Sequence, residues 1–214
     1  MMDIYASDEE KGEDIKRWWR EHGSSVAVGI LLGVLMLLGG RYWLGYQQSV
    51  AEKASAHYQQ LRTLISAEQM VEADDKIQQL FGEFSSTPYA VFAAFEMANL
   101  TLASHDISSA KSYLQWVVDN AKLSAHTDIA RLRLGQLLLD ESQFDQALAL
   151  TNQTDLESFI SLFAELRGDI YSAQGQTSEA RAAYQNAVLK LSQGEPRQIL
   201  LQVKLNDLAG SNDG

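Results

Sequence analysis

The chain has 214 residues, 28 of them acidic against 17 basic, for a net charge of -11, with 46% hydrophobic residues, two prolines and no cysteine. That length can bury one core with an additional segment beside it. The negative charge, with no cluster of Lys or Arg to offset it, disfavours nucleic acid as a partner. The lack of cysteine excludes disulfides, thiolate metal sites, thiol nucleophiles and a lipidated Cys, so any membrane attachment is made by the polypeptide itself.

Residues 1–22 read as an acidic leader holding seven Asp and Glu. From Gly23 to Gly40 the sequence GSSVAVGILLGVLMLLGG carries no charge over eighteen residues. With Arg41 snorkelling, the window extends to Leu44 and predicts a membrane-spanning helix over 23–44. Trp18 and Trp19 precede it, and Arg41, Tyr42 and Trp43 follow it. A rise of about 1.5 Å per residue sets Trp19 and Trp43 roughly 36 Å apart, the separation of two interfacial belts. A cleaved signal peptide fits poorly, because Arg41, Tyr42, Trp43 and Tyr46 stand where small residues are required. Lys11, Lys16, Arg17 and Arg20 before the span, against Arg41 and Lys53 after it, predict a cytoplasmic N-terminus and an exported remainder. Ser25, Gly29, Gly33 and Gly40 line one helical face on which another transmembrane helix could pack, although glycine is common in spans generally.

From residue 45 to 209 the sequence is helical in period and repeats itself. The clearest copy runs Leu166-Arg167-Gly168-Asp169-Ile170-Tyr171, then Gly175, Ala180, Tyr184 and Ala187. This resembles the tetratricopeptide order of small residue, aromatic, turn glycine, alanine, aromatic and alanine. Gly135 and Ala147 repeat the spacing of Gly168 and Ala180, and weaker copies place Ala98 before Ala110 and Leu61 before Ala73. The aligned alanines 73, 110, 147 and 180 give steps of 37, 37 and 33, around an expected value of about 34. The extra residues are expected in the turns between helices. Thr87-Pro88 predicts an N-cap with proline at the first helical position, and Gly194-Glu195-Pro196 ends the fourth pair. A closing helix is predicted over Arg197 to Ala209, covering the last repeat with Ile199, Leu200, Val203 and Leu208, followed by a disordered tail over 210–214. The fold class is all-α: one transmembrane helix, then a solenoid of about four helix pairs with a cap.

Little in the sequence points to chemistry. His22, His57, His105 and His126 have no carboxylate at a ligand-like spacing and read as surface or turn residues. There is no nucleophile motif, phosphate loop or paired-acid geometry. No enzyme activity, metal, cofactor or small-molecule substrate is expected. The informative surface is the concave face, lined by the first helix of each pair at fixed offsets. Those offsets select Phe92, Phe95, Asn99 and Leu102, then Ile129, Leu132, Gln136 and Leu139, then Leu162 with Glu165 and Asp169. The segment YAVFAAFEMANLTLA, from Tyr89 to Ala103, is apolar nearly all round. Either its free face is covered within the chain, by the helix around His57 to Ile65 or by tight superhelical curvature, or that face receives a peptide or partner helix.

The leader and span IKRWWREHGSSVAVGILLGVLMLLGGRYWLGYQ, followed by four degenerate repeats, resemble the YfgM family of bacterial inner-membrane proteins. The resemblance implies an ancillary subunit of the SecYEG translocon, working beside the periplasmic chaperone PpiD, helping exported client proteins reach periplasmic chaperones, and linked to the Rcs stress response. A structural scaffold for another cell-envelope complex is the alternative reading.

Overall fold

The computed structural model describes residues 8–152, 154, 156–192 and 194–210. Among them lie nine helices and no strand. The chain divides into two compact units, residues 1–52 and 53–214. Helix α1 (Asp8–Ser66) runs through the first, and its last turns belong to the second. It contains one stretch long and apolar enough to cross a membrane. Its apolar side chains point outward on every side, with Met36 79% exposed, as suits a helix whose neighbour is lipid. The predicted span 23–44 lies inside α1, unbroken at Gly39 and Gly40.

In the second unit the end of α1 is followed by α2 (Met70–Glu83), α3 (Pro88–Ala103) by α4 (Ile107–Asn120), α5 (Ser124–Asp140) by α6 (Phe144–Leu150), and α7 (Glu157–Ala173) by α8 (Thr177–Leu189). Helix α9 (Arg197–Gly210) closes the array. The repeat register reappears as burial: Leu61, Ala98, Gly135 and Gly168 on the first helices and Ala73, Ala110, Ala147 and Ala180 on the second are all buried. Close approach is the reason. A Cβ on Gly168 would overlap the Tyr184 ring, and one on Gly135 would meet Leu166 Cδ2 at 2.7 Å. One core joins Val91, Leu114, Leu134, Leu138, Leu166 and Ile170, and a second joins Ala164, Tyr184, Leu201 and Leu208.

The turn within each pair repeats as well. Glu68, His105, Ser142 and Gly175 all adopt positive φ, at 58°, 63°, 59° and 73°, and each precedes its buried alanine by five residues. The next residue donates its N–H back to a carbonyl five residues earlier: Gln69 to Leu64, Asp106 to Thr101, Gln143 to Leu138 and Gln176 to Tyr171. This is a Schellman closure, for which glycine is the least strained residue. Three of the four turns use other residues.

Four expectations are corrected. The longer repeat steps come from second helices of 14 residues in α2 and α4, against 7 in α6, and not from longer turns. Thr87 does precede Pro88 at the start of α3, but its hydroxyl donates backward to the Phe84 carbonyl at 2.8 Å and does not cap the helix. In α9 the buried face is Leu201 and Leu208 with Leu205 beside them, whereas Ile199 is 76% exposed and Leu200 and Val203 are also exposed. His57 and His126 are half-buried against the rings of Phe84 and Phe92, while His22 and His105 are exposed. The expected tail beyond Gly210 lies outside the described residues.

Gly168→Ala is expected to lower stability by about 1–3 kcal/mol, through overpacking against a ring. Gly135→Ala should cost less, because only the tip of a flexible leucine must move. Chemical denaturation of the full chain checks the order. Gly175→Ala should cost about 1 kcal/mol from its left-handed backbone, and Ser142→Gly should raise the thermal midpoint.

Candidate functional site

The face expected to be concave is built on α3, α5 and α7. Phe92 remains 40% exposed, although its helix buries six other residues. Around it the rings of Tyr58, Tyr89 and Phe92 pack with centroids 6.1, 6.3 and 6.2 Å apart, and His126 of α5 meets Phe92 edge-on at 5.6 Å. Tyr58 donates to Glu96 at 2.8 Å. Burial, reinforced by that bond to a carboxylate, pushes its phenol up to about 12, so it stays a neutral donor. The end of α1 thus covers part of the α3 face, with Arg62 adding an ion pair to Glu96 at 3.5 Å. It leaves Phe92 partly uncovered.

The next row is cationic. Arg133 of α5 lies over the Phe95 ring at 5.1 Å and donates to Asn99 Oδ1 at 3.3 Å. Phe95, Leu132 and Leu139 are half-buried against the core, Leu102, Ile129 and Leu162 are half-buried, and Asn99 and Gln136 are exposed. The face is therefore less apolar than the repeat offsets imply. Tyr58, Tyr89, His126 and Arg133 were missed, because those offsets ignore residues that reach in from the flanks.

At the last pair the face closes. Glu165 and Asp169, which the offsets place in the groove, are taken by α9: Arg197 and Lys204 donate to Glu165 at 3.0 and 2.9 Å, and Lys204 donates to Asp169 at 2.6 Å. The Tyr184 hydroxyl also donates to Asp169, at 2.7 Å, and burial with this bond raises its pKa. Burial alone would lower Lys204, yet its bonds to Asp169 and Glu165 outweigh that and hold it above its usual 10.5. A base raised on folding stabilises the fold below its unfolded pKa and loses the effect as pH rises through the folded one. The contribution of Lys204 to docking α9 is therefore constant around neutrality and is lost in strong alkali.

In the first unit, Ser25, Gly29, Gly33 and Gly40 are exposed, and the three glycines have open space where a Cβ would stand. Trp18, Trp19, Tyr42 and Trp43 are exposed, as is Arg41. Trp18 stacks on His22, and Trp19 lies over Gly23. Among the described residues no cluster of His, Asp and Glu could hold a metal ion.

Lys204→Met keeps the stem and removes the charge. It is expected to cost about 1–2 kcal/mol and to speed amide exchange in α9 without changing it in α3 to α5.

Residues 16–210 match the family described as tetratricopeptide repeat-like domain. A protein of Haemophilus influenzae is 34% identical over 203 residues, covering 94% of this chain and 97% of that protein. One of Escherichia coli is 28% identical over 97% of this chain and 100% of its own length. One of Neisseria gonorrhoeae is 29% identical with the same coverage. All three are named ancillary SecYEG translocon subunit. With a membrane-length apolar helix followed by four buried Ala registers and an end-to-end match, this chain belongs to the tetratricopeptide repeat-like family that includes those proteins.

Proposed function

We propose that the chain is a non-enzymatic, membrane-anchored protein-binding module at the SecYEG translocon. In this reading the leader 1–22 is cytoplasmic, residues 23–44 span the inner membrane, and the array from 45 to 209 lies in the periplasm. There it assists transfer of exported clients to periplasmic chaperones, with PpiD as a partner and the Rcs stress response as a regulatory link. The relatives' shared name, carried over nearly the whole chain, supports the translocon as the place of action. The observation that carries the binding role is Phe92, 40% exposed within a group of aromatic side chains on the concave face. An exposed aromatic held rigid by its neighbours is the kind of anchor that protein interfaces use. Phe95, Asn99, Leu102, Ile129, Leu132, Gln136, Leu139 and Leu162 form the proposed remainder of that face. Ser25, Gly29, Gly33 and Gly40 offer the span a packing stripe.

The test is a photo-crosslinking residue placed at Phe92 and, separately, at Leu139 in intact cells, with adducts identified by mass spectrometry. Adducts with translocon subunits, a periplasmic chaperone or exported chains are expected. Crosslinks confined to the chain itself at both positions would make this face internal core and overturn the reading.

A further inference from the structure

Three hollows lie in sequence over the second helices of the array. The largest, about 740 Å³, is lined by α4, α5 and α6. It shares Ser112 and Trp116 with a hollow of about 270 Å³ between α2 and α4. It shares Gln143 and Gln146 with one of about 240 Å³ that reaches Gln174. The opening has a local cause: α6 has 7 residues where α4 has 14 and α8 has 13, so the second helix of the third pair ends early.

The chemistry along this track is specific. Its floor includes Leu134 and Leu138, both in the main core. The Trp116 indole, fixed by stacking on Phe81 at 3.8 Å and 11°, forms the ridge between two hollows. Gln115 and Gln143 donate their amide N–H groups to Asp119 and Glu141, which leaves their carbonyl oxygens as acceptors. The Gln174 amide oxygen is buried without a hydrogen-bond partner. Unspent amide groups above an apolar floor suit a polypeptide whose own backbone groups are free, which an extended segment has and a helix does not. The charge is one-sided: Lys111 is paired with Glu141, while Asp119 and Asp145 stand exposed at the rim.

We propose that this track is a second protein-binding site, separate from the concave face, taking an extended, non-acidic segment of a partner. One apolar side chain of the segment seats on Leu134 and Leu138 beside Trp116, and a basic residue faces Asp119. Three linked hollows separated by side-chain ridges favour alternate residues of a strand-like segment over a single compact ligand.

Trp116 supplies the readout, since the other three of the chain's four tryptophans, Trp18, Trp19 and Trp43, lie in α1. In full-length protein carrying Trp18→Phe, Trp19→Phe and Trp43→Phe, reconstituted in detergent, Trp116 fluorescence is titrated with a synthetic decapeptide of Ser and Gln bearing a central Leu and two Lys. A saturable shift is expected, weakened at least fivefold by Gln143→Ala with Gln146→Ala, absent when the peptide Leu is Ser, and unchanged by Phe92→Ser. Both glutamines are on the rim, and an unaltered thermal midpoint shows that the double variant folds. No saturable shift up to about 1 mM, a shift indifferent to the Gln variants, or one abolished by Phe92→Ser overturns the proposal. None of these outcomes decides the crosslinking at Phe92.

Discussion

The ring of Tyr184 rests on the backbone of Gly168, a position that admits no Cβ, and this close approach of two helices is the contact on which the array depends. Ala180 and Ala187, fully buried on the facing helix, keep the two backbones near each other. The same contact serves the neighbouring elements. The Tyr184 hydroxyl reaches Asp169, Asp169 receives Lys204, and Lys204 fastens α9. Spacing at one helix crossing therefore governs where the groove ends. Gly135 approaches Leu166 and so sets α5 beside α7, while α3 and α5 meet through Phe92 with His126 and Phe95 with Arg133. Small side chains at these crossings allow the large ones around them to interlock, as dense packing requires.

Elements whose physics is local were legible in the sequence. An uncharged run flanked by tryptophans reads as a span because lipid tolerates no unpaired backbone and few charges. The alanine register reads directly because a small residue at a crossing has few substitutes. The three left-handed turns at Glu68, His105 and Ser142 were not legible, since these side chains carry no mark of positive φ; only Gly175 does. The early end of α6 was also hidden, because FDQALAL offers no breaker and the following loop is held from a distance. Thr154 donates to the buried carboxylate of Asp128, which also pairs with Arg131, fixing the start of α7 against α5. In α9 the apolar residues outnumber those that one face can bury, so pattern alone selected Ile199 and Val203 where packing selected Leu201.

On the concave face, repeat offsets locate the helices and the rows but not what crosses between rows. Arg133 and Tyr58 are long side chains that reach over positions assigned to others, turning an expected apolar trough into alternating aromatic, cationic and amide surface. Such a surface can engage varied polypeptides through rings and hydrogen bonds together. That breadth matches the proposed role of a module meeting many exported chains. The α9 ion pairs take up Glu165 and Asp169, so the α7 part of the face keeps only Leu162 of the residues assigned to it.

In the proposed topology this face works on the exported side of the membrane while the leader stays inside. Because the chain has no cysteine, single Glu13→Cys and Asp140→Cys variants can be probed in intact cells with a membrane-impermeant maleimide that passes the outer membrane. Both positions are exposed. Labelling is expected at position 140 in intact cells and at position 13 only after lysis. The reverse pattern would contradict it.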